Sequence, residues 1–156
     1  MSEMSLLQDL KSWLWIGKYW IPIYGLLLLF GIVVGTALEP FMYWWVFLLG
    51  VPLLVIPVTY RNLVGGGCNL KYQICALVKG AMAGLVLLTL TILMDAYVWS
   101  FLQSIVGWNP VNLGGVSLAF YQIWFYSGLI GGFGARIVEV KSMKQVNIAI
   151  AGFEEQ

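Results

Sequence analysis

Between residues 19 and 60 the only charged side chain is Glu39, and between residues 80 and 135 the only one is Asp95. An isolated acid in an apolar stretch is a functional-site candidate, because burying its charge is costly unless a partner or a task offsets the cost. Two carboxylates can hydrolyse glycosides, but that chemistry needs a wet cleft and substrate-binding loops, which the short connections beside these acids do not supply. The sequence has no histidine, which removes the commonest general base, metal ligand and haem ligand. Cys68 and Cys75 are the only thiols and do not form a C-x-x-C pair, so they read as ordinary buried or interfacial cysteines. Gly65 to Gly67 lack the G-K-[ST] ending of a phosphate loop and read as a turn. What remains is a small polar cluster in which Glu39, Asp95, Tyr121 and Gln122 face a cation or a partner subunit. That is not a catalytic constellation. The chain is expected to have no catalytic activity of its own, and the sequence implies no metal or cofactor.

The elements that must position these residues are helices in a bilayer. Of 156 residues 61% are apolar and 10% charged, more apolar surface than a soluble core of this size can hide. A formal net charge of +1 points to no nucleic-acid partner and leaves membrane lipids as the expected surroundings. Four apolar runs, at about 19–38, 41–60, 72–98 and 116–137, are each long enough to cross a ~30 Å hydrocarbon core as helices. The expected fold class is therefore all-α, a polytopic membrane helix bundle with four transmembrane helices in one domain covering 18–138. Pro40 suits the first turn of the second helix, and the connection at Glu39 and Pro40 is so short that the first two helices form a hairpin. Pro52 and Pro57 bend the second helix.

The flanking segments carry signals of their own. In residues 1–17, Ser5 and Gln8 make a capping box, and Leu6, Leu7, Leu10, Trp13 and Leu14 recur at helical spacing, which predicts a short amphipathic helix lying on the cytoplasmic face. Trp99, Phe101, Leu102, Ile105 and Trp108 predict an interfacial helix within the less hydrophobic stretch 99–115. Residues 139–156 read as a cytoplasmic tail in which Val146, Ile148 and Ile150 alternate, either a strand against a partner or a weakly ordered end. No small-residue cleavage site follows the first apolar run, so that run is expected to be retained.

All eight basic residues fall on one side of this map: Lys11 and Lys18, then Arg61, Lys71 and Lys79, then Arg136, Lys141 and Lys144. Positive charge stays in the cytoplasm, so both termini are assigned there, in a plasma or inner membrane. Lys79 and Asp95 are 16 residues apart, ~24 Å along a helix and less than the hydrocarbon thickness. Lys79 can reach the cytoplasmic edge by its long stem, which leaves Asp95 at or just within the outer boundary. Three runs also carry glycines four apart, Gly31 with Gly35, Gly80 with Gly84 and Gly128 with Gly132, and each pair marks a helix-packing face.

Two functions are compatible with this pattern. The first is a noncatalytic integral subunit that packs with or anchors partners in a larger membrane complex, its neighbours being other integral subunits or copies of itself. The alternative is a small homo-oligomeric channel or transporter using the outer acids, with Asp95, Glu39, Gln122 and Lys79 as its polar residues. An enzyme acting on lipid ranks third, because so few polar side chains are available.

Overall fold

The computed structural model describes the backbone of residues 3–64, 75–112 and 117–154, and the side-chain surroundings of 13–64, 76–111 and 118–141. Four α-helices follow one another, α1 (Glu3–Ala37), α2 (Met42–Leu63), α3 (Cys75–Val106) and α4 (Ser117–Glu154), with a short 3-10 turn at Pro110–Asn112. The described residues are all-helical, and three of the helices hold stretches long and apolar enough to cross a membrane: Trp13–Ala37, Met42–Leu63 and Ala76–Val106. The fourth, α4, has 38 residues, but Tyr121, Gln122, Tyr126, Ser127 and the glycines between 128 and 134 dilute its apolar character.

Hydropathy marks where a helix meets water, and the backbone continues past that point in three places. α1 is one helix of 35 residues, about 52 Å long, so residues 3–17 are its first turns rather than a separate surface helix. Ser5 lies inside it rather than capping it. The Leu, Lys and Gln of the amphipathic stretch are good helix formers, and nothing before Lys18 breaks the hydrogen-bond ladder. α3 likewise runs on through Trp99 to Ile105, where a separate interfacial helix was expected, and stops only at Gly107. That glycine has φ 81°, the left-handed closing conformation, and its N–H bonds back to the Gln103 carbonyl at 3.0 Å. α4 continues to Glu154, so the segment after residue 138 is helix rather than strand or loose tail. An Arg136–Glu139 ion pair of 3.6 Å, one turn apart on α4, spans that supposed boundary. The glycine turn at 65–67, Cys68 and Lys71 lie outside the described residues.

The hairpin expected at Glu39 and Pro40 is present. Met42 N–H bonds the Glu39 carbonyl at 2.9 Å and Tyr43 N–H the Pro40 carbonyl at 3.3 Å, so the chain reverses within a few residues. Buried positions then recur every three or four residues: Ile16, Trp20, Tyr24 and Leu27 on α1, and Phe47, Val51, Val55, Thr59 and Leu63 on α2. α4 packs most extensively against α3, then α2, while α1 leans on α2 and touches α3 less.

Glycine sets the α3–α4 distance. A Cβ placed on Gly80 would lie 2.6 Å from the Cα of Gly132, and one on Gly84 would lie 2.5 Å from the backbone oxygen of Phe125. Gly128 meets the Cα of Gly84 in the same way, so the two backbones touch with no side chain between them. Gly31 and Gly35 have a different role: each accommodates a ring, Tyr43 and Trp108 respectively.

Candidate functional site

Along one stripe of α3 the side chains of Thr91, Asp95 and Trp99 follow at four-residue intervals, about 6 Å apart. Each is fully buried, and each reaches a different part of the bundle. Thr91 accepts a hydrogen bond from Trp20 Nε1 of α1 at 3.0 Å and donates to its own helix at Leu87. Asp95 accepts two: the Tyr24 hydroxyl of α1 donates to Oδ1 at 2.5 Å, and the Tyr121 hydroxyl of α4 donates to Oδ2 at 2.8 Å. Trp99 Nε1 donates to the Tyr43 hydroxyl of α2 at 3.3 Å. α3 is thereby the hub, tied by side-chain hydrogen bonds to each of the other helices.

Rings enclose the carboxylate. Tyr24 stacks on Trp20 with centroids 5.1 Å apart and an interplanar angle of 16°, and Tyr121 stands edge-on to Trp44 at 5.4 Å. Above them Trp108 folds back from Gly107 onto Trp99 and Tyr43, at 5.1 and 5.9 Å. Leaving a buried carboxylate oxygen without a donor is unfavourable, so removing either tyrosine from Asp95 destabilises the bundle. Chemically, the arrangement holds an acid at the meeting point of three helices. Among the described residues no three His, Cys, Asp or Glu side chains gather closely enough to hold a metal ion.

Of the polar cluster expected from sequence, the structure joins Asp95 to Tyr121 and leaves the rest apart. Asp95 is 1% exposed, inside the bundle rather than on a rim, because it shares the inward stripe of Thr91 and Trp99. Gln122 is exposed: at 3.6 residues per turn, the neighbour of an inward-facing Tyr121 points about 100° away. Glu39 is exposed on the hairpin turn, and Lys79 is half-buried near the opposite end of α3. Tyr24, Trp20, Thr91 and Tyr43 were not anticipated. One signal for Tyr24 was available, as a hydroxyl near the middle of the otherwise apolar run 19–38. No protein-family model matches the chain, and no curated protein or solved structure matches it significantly.

Proposed function

We propose that the chain is a noncatalytic integral membrane subunit that inserts as a four-span bundle with both termini cytoplasmic and packs with other membrane proteins. One observation carries this reading: both oxygens of Asp95 are occupied by tyrosines of the same chain, so the buried acid works as an internal fastener. Function then falls to the outer surface, where Leu29, Leu49, Leu53, Tyr97 and Phe101 are exposed in numbers that suit lipid and neighbouring helices. The alternative, a homo-oligomeric channel or transporter, draws on Asp95 itself, since an acid on a membrane helix marks an ion or proton path by default.

Purification in mild detergent followed by native mass spectrometry separates the two. Stoichiometric association with a different membrane polypeptide supports the subunit; a defined homo-oligomer with no other chain overturns it in favour of the channel. Labelling of intact cells, before detergent is added, tests the arrangement in the membrane, which rests on the one-sided basic residues and on α4 crossing despite its diluted apolar character. In a background without Cys68 and Cys75, cysteines at Ser2, Gly66 and Gln156 should label only from the cytoplasm and one at Asn112 only from outside.

A further inference from the structure

A groove of about 500 Å³ runs between α1 and α2, lined by Leu26, Phe30 and Val34 on one side and by Met42, Leu49 and Leu53 on the other. Its lining is apolar throughout. Gly50 contributes no side chain to it, and a Cβ there would collide with a methyl of Leu27, the far end of a flexible side chain. Val34 and Met42 lie nearest the Glu39–Pro40 turn, so the groove begins at the hairpin end and descends along both helices.

Its dimensions select an occupant. From Leu26 to Val34 is ~12 Å of helix and from Met42 to Leu54 ~18 Å, which matches half of a ~30 Å hydrocarbon core, the depth of one leaflet. Spread over ~15 Å, the volume gives a cross-section on the order of 30 to 40 Å². A second α-helix, about 10 Å across, needs about 80 Å² and would run the full thickness. The groove takes an alkyl chain along its floor, whereas a helix would lie across its mouth with only side chains entering it.

Charge at the mouth selects the headgroup. Glu39 is exposed on the turn, and no lysine or arginine occurs between residues 19 and 60 or between 80 and 135. An anionic headgroup there would meet an acid and no cation, whereas an ammonium would meet an opposite charge. Trp45, half-exposed in the groove wall near this end, is the kind of ring that settles at headgroup depth. We propose that the α1–α2 groove is a binding site for one phospholipid of the leaflet on the Glu39 side, an acyl chain lying in the groove and an ammonium-bearing headgroup at Glu39. Retention of this lipid does not depend on protein partners, so a chain that proves to have none still carries it.

The test uses the full-length chain, washed free of lipid in detergent and then given an equimolar mixture of phosphatidylethanolamine and phosphatidylglycerol. Native mass spectrometry should find one retained lipid, with the ethanolamine form in roughly fivefold excess, the ratio that about 1 kcal/mol of ion pairing produces. Glu39→Lys, on an exposed turn, should reverse the preference. Gly50→Phe, which fills the groove, should abolish retention; Leu53→Trp, on its exposed wall, should do so without a change in melting temperature. Equal loading of the two lipids by the unaltered chain overturns the headgroup assignment. Undiminished loading in Leu53→Trp, or a polypeptide crosslinking to position 49 in place of lipid, overturns the site.

Discussion

α4 and α1 both pack into the bundle, but they are held by different means. α4 meets α3 backbone to backbone through Gly80, Gly84, Gly128 and Gly132, with nothing between the chains that could yield. α1 is attached by side chains: Trp20 to Thr91, Tyr24 to Asp95, and rings laid against Gly31 and Gly35. Its own Gly17 and Gly25 have no neighbouring heavy atom that an added Cβ would meet. In lipid the hydrophobic effect does not drive helices together, so association rests on close packing and on interhelical hydrogen bonds. In this molecule close packing dominates at α4, which adds the Tyr121–Asp95 hydrogen bond, whereas α1 relies on hydrogen bonds and rings. Close packing gives a rigid pair that tolerates no added atom; hydrogen bonding gives a fastening that can be weakened one donor at a time.

The largest effect expected from this contrast is at the glycine face. Gly84→Leu should destabilise the bundle by about 3 kcal/mol, at the upper end of overpacking costs, because its side chain meets the Phe125 backbone rather than a movable side chain. Reversible unfolding in mixed micelles measures this, and an unchanged midpoint would show that α3 and α4 do not pack as described.

An intermediate effect is expected at the fastening. Tyr24→Phe removes one of the two donors to Asp95 and should cost about 1 kcal/mol, within the range of interhelical hydrogen bonds in membranes. A double-mutant cycle with Asp95→Asn should show that the two changes are not additive, since the amide is uncharged and only one of its two ends still accepts, which alters the bond that Tyr24→Phe removes. Partner retention or transport by the Asn variant, measured beside its melting temperature, sharpens the comparison further. Activity lost at unchanged stability would make Asp95 a working acid, whereas a parallel loss of both marks a fastener.

The smallest effect belongs to Gly25→Ala, where the added methyl meets nothing and alanine is the better helix former. Its midpoint should move by no more than about 0.5 kcal/mol. A loss as large as that of Gly84→Leu would mean that α1 is also held tightly at Gly25, and the contrast between the helices would fail.

Composition and the spacing of apolar residues made the helices legible, because both are local properties. Four-residue glycine spacing pointed to Gly80, Gly84, Gly128 and Gly132 as packing positions, although which helix would face which was not written in any single segment. Asp95 and Tyr121 were also readable as polar residues on apolar runs. Tyr24 carried the same kind of signal, but nothing local ties it to an acid 71 residues further along the chain. The helices run on past Lys18, Val98 and Val138 for one physical reason. Hydropathy falls where a helix leaves lipid, yet the backbone ladder needs only helix-forming residues and stops where a Gly107 allows it to close.

Synthesis order gives the Asp95 fastening a temporal side. Tyr24 and Trp20 emerge from the ribosome 71 residues before Asp95 and Thr91, and Tyr121 follows Asp95 by 26. At about 5 to 20 residues per second, α1 waits roughly 4 to 14 seconds with both donors unengaged. The acid therefore arrives at a bilayer that already holds its first donor and gains its second within roughly 1 to 5 seconds. A pause in translation between residues 95 and 121 would prolong the interval in which Asp95 has one donor, making the tempo of the ribosome part of how this bundle is built.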